Sequence, residues 1–396
     1  MDLSQFTGGQ DWFSSMLWFV MMMVFFYFYP RMMLTQIMWR LEKSAKELEE
    51  MSDEAEKFVL KEISPNPGAK VSESVKRFFE FFVISPADLD PAGMVRKLDH
   101  IIVNERQRFR YFVKQLDPKM PAEKQACMQM GLAAGMTVHQ IAKVVRHFVE
   151  TIKKEKTYQM AMIIQMQLPM IERMARSMLV GTKAMSRGRP IGDAFGPYAA
   201  AKLIGNRKTT EIADEIVMAR VSVSGRMAFV MKARGPGGRL GDPGKAVEKI
   251  TRKHRIDKII TIDAAAKLEG EKTGSVAEGV GVAMGGPGVE RAYIEEVAVK
   301  GGIPLDSIIV KMSPEEAIKP MRKAVKDALP QVMESIKRSM ETVKKGGMVI
   351  IVGVGNTSGV GDSDDTAEME KWIDNYEKKL KAKQKKDGDE KEFMDF

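Results

Sequence analysis

The chain has 396 residues, a formal net charge of +9 and one cysteine, Cys127. A single cysteine excludes an intrachain disulfide framework and any metal site built from several cysteines. The length allows two or three domains, and the basic charge suits anionic lipid headgroups as well as nucleic acid. Basic patches interleaved with aromatic residues are absent from the sequence, which argues against nucleic acid as the partner.

The longest uncharged stretch is WFSSMLWFVMMMVFFYFY, residues 12–29. As an α-helix it would span about 27 Å, close to the thickness of the hydrocarbon core of a bilayer. Trp12 and Tyr29 suit the two membrane interfaces. A signal peptide would need a basic segment and a small-residue cleavage site, and neither is present. We therefore predict a transmembrane helix over residues 12–30, in contact with membrane lipid.

The flanking charges predict the orientation of this helix. Residues 1–11 contain two aspartates and no lysine or arginine, whereas Arg31, Arg40 and Lys43 follow the span. The positive-inside rule therefore places a short N-terminus outside the cell and the rest of the chain in the cytoplasm.

Residues 31–70 predict an amphipathic stalk helix and a linker. Apolar residues recur there at every third or fourth position: Met33, Ile37, Leu41, Ala45, Leu48 and Met51. Such a stripe either pairs with a second copy, giving a homo-oligomer, or packs on the chain's own body. The sequence leaves both alternatives open. The segment SPNPGAK, residues 64–70, ends the helix.

Residues 71–205 have the periodicity of helices throughout and predict an all-helical domain. The apolar run Met160–Leu168 within it is too short to cross a membrane, and Pro169 interrupts it. The sequence therefore predicts one membrane span.

From residue 206 onward, segments typical of strands alternate with segments typical of helices. Strands are predicted at residues 227–233, 257–263, 307–312 and 348–354. Strands joined by helical crossovers form a parallel sheet with helices on both faces. Residues 206–366 thus predict a Rossmann-like three-layer parallel-sheet domain of the α/β class, and residues 367–396 a charged, partly disordered tail.

Three glycine-rich loops should meet at one edge of this sheet, because the carboxyl ends of parallel strands share an edge. They are RGPGGRLGDPGK from Arg234, DAAAKLEGEKTGSVAEGVGVAMGGPG from Asp263, and GVGNTSGVGDSDD from Gly353. A glycine loop that enters a helix exposes backbone N–H groups that favour phosphate, although glycines also make ordinary tight turns. The predicted ligand-binding residues are Gly235, Gly237, Gly238, Arg239, Lys272, Thr273, Gly285, Gly286, Gly288, Asn356 and Thr357.

Carboxylates accompany these glycines. Asp263 ends a buried strand, where a carboxylate is costly unless it is paired, binds a metal or acts in catalysis. It is the predicted catalytic acid or base, and with Asp242 and Glu278 it is predicted to hold Mg²⁺ or another divalent cation. Alternatively, Asp263 caps the next helix or pairs with a basic side chain. The four histidines lie on predicted helices away from this edge, which argues against a zinc site and a Ser-His-Asp triad.

The chain resembles an archaeal family of single-pass membrane proteins described as a domain of unknown function, number fifteen-twelve. The resemblance rests on the membrane span, the helical region and the motifs PIGDAFGP, LEGEKTGSVAEGVGVAMGGPG and VGVGNTSGVGD, and it covers nearly the whole chain. It implies an archaeal cell membrane. A second likeness, at the level of fold, is to germination and hydrogenase-maturation proteases. There a strand-end aspartate, as in IITIDAA, and a turn such as GVGN border the active edge.

Three functions follow as hypotheses. The first is a membrane-tethered enzyme or sensor that binds a phosphorylated or nucleotide-like ligand, with a divalent cation, at the glycine-rich edge. The second is a metal-dependent peptidase of the maturation-protease type. The third is a non-enzymatic scaffold at the membrane. The sequence leaves open whether the protein is an enzyme.

Overall fold

The computed structural model describes residues 8–81 and 93–392. These residues form two compact units. The stalk unit contains the described residues up to Asp53 together with Val138–Arg176. The sheet unit contains the described residues of Glu54–Thr137 and of Ser177–Phe396. The first residues of the predicted extracytoplasmic segment and the last four of the predicted tail lie outside the described ranges.

The stalk unit is built on one long helix, α1, which runs over Gly8–Ile63. The apolar stretch and the predicted stalk helix are therefore continuous. This is the one helix in the described ranges that is long and apolar enough to cross a membrane. Its side chains from Trp12 to Tyr29 are almost all exposed, as the lipid-facing surface of a span would be.

The apolar stripe of the stalk packs on the chain's own helices. Ile37, Leu41 and Leu48 are buried in a core shared with α4, Ala122–Glu155, and α5, Tyr158–Ser186. The structure therefore gives the second of the two alternatives for this stripe, because the face that a second copy would need is already covered. Homo-oligomerisation through the stalk remains a prediction without support from this face.

Helices also form the first part of the sheet unit. They are α2, Ala69–Phe79, and α3, Met94–Leu116, followed by a short 3₁₀ helix, Gly192–Ala194, and α6, Phe195–Ile204. The described part of residues 71–203 contains no strand, as predicted, apart from an isolated bridge between Ile191 and Pro320. The sequence assigns α6 to the helical domain, but its small, buried side chains pack directly against the sheet.

The sheet has seven strands in the order β1-β2-β3-β7-β4-β6-β5. Their bounds are Thr210–Ala213, Ile216–Val223, Arg226–Ala233, Lys258–Ala266, Val276–Val280, Leu305–Met312 and Met348–Gly353, from β1 to β7. The four predicted strands are confirmed as β3, β4, β6 and β7, and they are mutually parallel. The predicted parallel arrangement is confirmed for these four strands, and β1, β2 and β5 extend the sheet antiparallel at its two sides, so that the whole sheet is mixed.

Helices cover both faces of the sheet and give the predicted three layers. The remaining helices are α7, Pro243–Thr251; α8, Val289–Gly301; α9, Pro314–Ile318; α10, Lys323–Lys326; α11, Leu329–Glu341; and α12, Ala367–Glu392. One face packs against α6, α10, α11 and α12, and the other against α7 and α8. The charged tail, predicted to be partly disordered, is helical as far as Glu392. Met369 and Ile373 anchor its first turns in the core.

Candidate functional site

The loops after β3, β4 and β7 converge at one edge of the sheet, as predicted. The parallel register places the ends of these three strands side by side. The Thr357 hydroxyl, which follows β7, donates to the carbonyl of Gly237, which follows β3, at 2.6 Å. The Val354 N–H donates to the carbonyl of Ile262 on β4 at 2.9 Å. One edge therefore carries all three glycine-rich loops.

The loop after β3, residues 234–242, is filled by the protein itself. The N–H of Gly235 donates to Asp362 at 2.8 Å, and the N–H of Gly237 donates to Glu123 at 2.8 Å. A Cβ on Gly235 would lie 1.7 Å from the carbonyl oxygen of Val360. These N–H groups, predicted to bind a ligand's phosphate, already bind the protein's own carboxylates, so Gly235 and Gly237 serve close packing.

Buried charges in and around this loop are paired. Arg239 donates two hydrogen bonds to Glu123, at 2.5 and 3.1 Å. Lys232 has no exposed surface and donates to Asp362 at 2.7 Å. Burial lowers the pKa of Lys232, while the Asp362 carboxylate opposes that change. Arg239, predicted to bind the ligand, therefore anchors the loop to α4. Gly238 packs against Met130, and Thr357 ties the loop to the end of β7.

The loop before α8, Met284–Gly288, is open. A Cβ built on Gly285, Gly286 or Gly288 would meet no atom within 4 Å. Gly286 and Gly288 have φ of +78° and +82°, which L side chains rarely adopt. Gly288 is the N-cap of α8 and provides no side-chain cap. The loop thus leads open backbone to the positive end of a helix of 13 residues, where anions bind favourably.

A cavity of about 340 Å³ lies between this loop, the ends of β4 and β7, and α3. Its volume falls near the lower end of the range for small-molecule sites. The polar and glycine residues that line it are Asp99, Arg106, Asp193, Gly241, Asp263, Gly285, Gly286, Gly288, Glu290, Gly353 and Gly355. The structure therefore brings Asp263 and three of the predicted glycines together in one cavity.

Two of the carboxyl groups that line the cavity belong to Asp193 and Asp263. Asp263 is 4% exposed, and within the described part of the chain its carboxylate accepts one hydrogen bond, from the N–H of Ala264 at 2.7 Å. Asp193 accepts from the N–H of Asn356 at 2.8 Å. Burial, and then the charge of Asp193, raise the pKa of Asp263 well above its ordinary value, and burial raises the pKa of Asp193. Neither carboxylate has a cationic partner within the described ranges, so a bound cation would stabilise both.

Ionisable groups also form the rim. The Glu290 carboxylate accepts from the N–H of Gly244 at 2.7 Å and so caps the N-terminus of α7. Burial raises the pKa of Glu290 to about 7. Arg106 donates to Asp242 at 2.7 Å, and Lys245 donates to the same carboxylate at 3.2 Å. Asp242, a predicted metal ligand, is therefore already neutralised by two basic side chains.

The structure does not assemble the predicted metal triad of Asp242, Asp263 and Glu278. Glu278 lies on β5, because the chain turns back after β4 and pairs antiparallel with β6, and it accepts a hydrogen bond from Arg338 at 2.5 Å. Within the described residues, no group of three or more His, Cys, Asp or Glu side chains is arranged to hold a metal ion. A cation in the cavity would thus have two carboxylate ligands, Asp193 and Asp263, and would complete its coordination with water or a ligand.

The remaining predicted contacts lie away from the cavity or act through the backbone. Thr273 donates to Glu316 at 2.7 Å beside α9, and Lys272 precedes it in the same turn. The side-chain oxygen of Asn356 accepts from the N–H of Ser358, while its backbone N–H positions Asp193.

Sequence reasoning missed Asp193 and Glu290. Asp193 lies in the motif PIGDAFGP. The small residues that follow Asp193 could have indicated that it lies at the sheet edge. A Cβ on Gly196 would lie 2.1 Å from the carbonyl oxygen of Val354, so glycine is needed for α6 to approach the sheet this closely. A helix in such contact with strand ends places the residue before it at the sheet edge. Glu290 gave no comparable signal, because one glutamate in the first turn of an amphipathic helix is commonplace.

Comparison with known proteins gives a family and no activity. No curated protein and no solved structure is significantly similar to the chain. The likeness to the germination-protease and maturation-protease fold therefore has no support. Residues 15–188 match the N-terminal domain, and residues 191–361 the C-terminal domain, of DUF1512, a protein of unknown function. Because the two matches cover most of its length, the chain belongs to the DUF1512 family.

Proposed function

We propose that the protein is anchored in an archaeal cell membrane by one helix and binds a phosphorylated or nucleotide-like ligand, with a divalent cation, in the cavity of its sheet unit. The observation that carries the ligand class is the open glycine loop. Gly285, Gly286 and Gly288 leave room beside the N-terminus of α8, and the helix macrodipole favours a phosphate there.

The carboxyl groups of Asp193 and Asp263, which both line the cavity, support the cation. Asp193 and Asp263 would repel a phosphate if both were ionised, whereas a cation between carboxylates and phosphate makes the two parts of the site compatible. Mg²⁺ commonly binds one or two protein carboxylates together with ligand phosphates and water, which matches this set of donors. Asp263 would act as a metal ligand, or as a general base if the bound molecule reacts.

The anchor and its orientation rest on the apolar start of α1. Residues 12–29 carry no charge, whereas Arg31, Arg40 and Lys43 follow, so we place the sheet unit in the cytoplasm. A cysteine in place of Thr7 should react with a membrane-impermeant reagent on intact cells, and protection of that cysteine would contradict the orientation.

Thermal unfolding of the full-length protein in detergent tests the ligand site. Mg²⁺ or Mn²⁺ should be combined with inorganic phosphate, nucleotides and sugar phosphates. We expect stabilisation that requires both the cation and a phosphate compound, by about 2.7 kcal/mol when the ligand reaches 100 times its Kd. Asp263→Asn and Asp193→Asn should abolish it. Gly285→Asp should weaken it by placing a negative charge where the phosphate binds, while leaving α8 stable.

Glu278→Gln is the matched control, because this carboxylate pairs with Arg338 outside the cavity. Its response to cation and phosphate should equal that of the parent. Stabilisation that survives Asp263→Asn would place the site elsewhere. A protein that responds to none of these compounds would favour the scaffold hypothesis.

A further inference from the structure

We infer that the turn between α4 and α5 lies in the lipid headgroup layer and binds anionic lipid. The lipid-facing patch consists of Lys154, Lys156, Met162, Ile163 and Met166. This inference rests on the proposed membrane anchor and concerns the stalk unit alone. It would make the contact with lipid broader than the single span.

The first argument is the register of α4 on α1. The Ser52 hydroxyl lies 2.8 Å from Nδ1 of His139, and Nζ of Lys153 lies 2.8 Å from a carboxylate oxygen of Glu42. From the first contact to the second, the residue number rises along α4 and falls along α1, so the two helices are antiparallel. The C-terminal end of α4 therefore points toward the membrane end of the stalk.

The register of α5 gives the same result. A guanidinium nitrogen of Arg176 lies 3.1 Å from a carboxylate oxygen of Glu47, and Gln165 lines one groove with Gln36 and Ile37. Eleven residues of α5 thus match about eleven residues of α1, and the two helices run parallel. When the same pairing is continued by seven residues toward the N-terminus of both helices, Tyr158 at the start of α5 lies level with Tyr29 at the end of the apolar stretch. At about 1.5 Å per residue, Ile163 then lies within roughly 8 Å of that level, a distance comparable to the depth of the headgroup layer.

The second argument is the chemistry of this end. Lys154 and Lys156 are exposed at the turn, where anionic headgroups would attract them. Just beyond them, Ile163 is 54% exposed and Met166 is 77% exposed, on one side of α5. Basic residues next to exposed apolar ones are typical of surfaces that lie in a membrane interface. Lipid is the occupant that satisfies both groups here, because the span enters the bilayer beside them.

Fluorescence quenching on the full chain tests the inference. Single cysteines should replace Ile163, Phe26 or Val280 in a Cys127→Ser background and carry an environment-sensitive fluorophore. The protein is reconstituted in vesicles of phosphatidylcholine with or without phosphatidylglycerol, and brominated acyl chains act as the quencher. Val280, which is 92% exposed on β5, is the matched control for an exposed apolar position.

We expect strong quenching at Phe26 in all vesicles. Quenching at Ile163 should be intermediate, at least twofold above Val280, and should increase with phosphatidylglycerol. Lys154→Gln with Lys156→Gln should remove that increase. Quenching at Phe26 with none above the Val280 level at Ile163 would overturn the inference and leave the anchor intact. No quenching at Phe26 would overturn both. Protection of Ile163 that depends on protein concentration in detergent would assign the patch to a second copy and overturn the inference.

Discussion

Two glycine-rich loops lie at the same sheet edge, but one is packed against the rest of the protein and the other is open. In the loop after β3, glycines let the chain approach itself, and Gly235 touches the backbone at Val360. In the loop before α8, Gly285 and its neighbours face open space. A glycine-rich motif therefore indicates a ligand site only when no part of the protein occupies the space that the missing side chains leave.

The charges near the two loops differ in the same way. Lys232 is buried and hydrogen-bonded to Asp362, and Arg239 is buried and hydrogen-bonded to Glu123. The charges of the first loop are therefore already paired within the protein. Asp263 accepts a hydrogen bond from a backbone N–H and lies next to another carboxyl. A cation would balance the charge of these two carboxyl groups, and a phosphate ligand would occupy the open backbone of the loop before α8.

The sharpest test of this contrast is the same substitution in both loops. Gly235→Ala places a Cβ against a backbone carbonyl at 1.7 Å, which cannot move aside as a flexible side chain could. We expect a loss above about 3 kcal/mol in the free energy of unfolding, measured by chemical denaturation. Gly285→Ala should change it by less than about 1 kcal/mol. Equal effects at the two positions would contradict the distinction between a filled and an open loop.

Removal of one carboxylate from each region should have the next largest effect. Asp362→Asn leaves Lys232 buried beside a neutral partner and should cost about 3 kcal/mol. Asp263→Asn removes a carboxylate whose ionised form burial disfavours, so stability at neutral pH should stay within about 1 kcal/mol of the parent. A loss at Asp263 as large as at Asp362 would show that Asp263 is a structural partner and would argue against the site.

The third predicted effect is a dependence on pH. Glu290 has a pKa of about 7 in the folded protein, above its ordinary value of 4.5. The folded state therefore keeps a proton that the unfolded state releases, and this group lowers stability as pH rises from about 4.5 to about 7. Glu290→Gln should flatten that fall in denaturation curves recorded across the window. Glu278→Gln should not, because its pKa is lowered and it titrates below the window. An unchanged slope in Glu290→Gln would contradict the assignment.

The sequence was most informative where burial is complete. β4 and β7 were predicted within three residues at each end, because continuous β-branched runs suit strands buried on both faces. The sequence places β5 within a glycine-rich loop, because VAEGV contains a glycine, and in the structure the side chains of this antiparallel strand are mostly exposed. Its position at the side of the sheet follows from pairing with β6, which no local pattern specifies.

The site was less predictable for a related reason. Strand order implied that the loops converge, but not which loop the protein would fill. The occupants of the β3 loop, Glu123 and Asp362, are separated from it by more than 100 residues of sequence. Asp193 reaches the cavity only because α6 packs closely on the sheet. Contacts of this kind depend on tertiary packing, which periodicity and motif spacing do not encode.

The position of β7 has a consequence for how the protein is made. β7 is the last strand in the chain, yet it lies between β3 and β4 in the sheet. Before Met348 is synthesised, β3 has no parallel neighbour, and the N–H of Asn356 that holds Asp193 does not yet exist. The cavity is therefore among the last features to assemble during translation, and a chain that stops short of β7 carries the glycine loops after β3 and before α8 without the cavity.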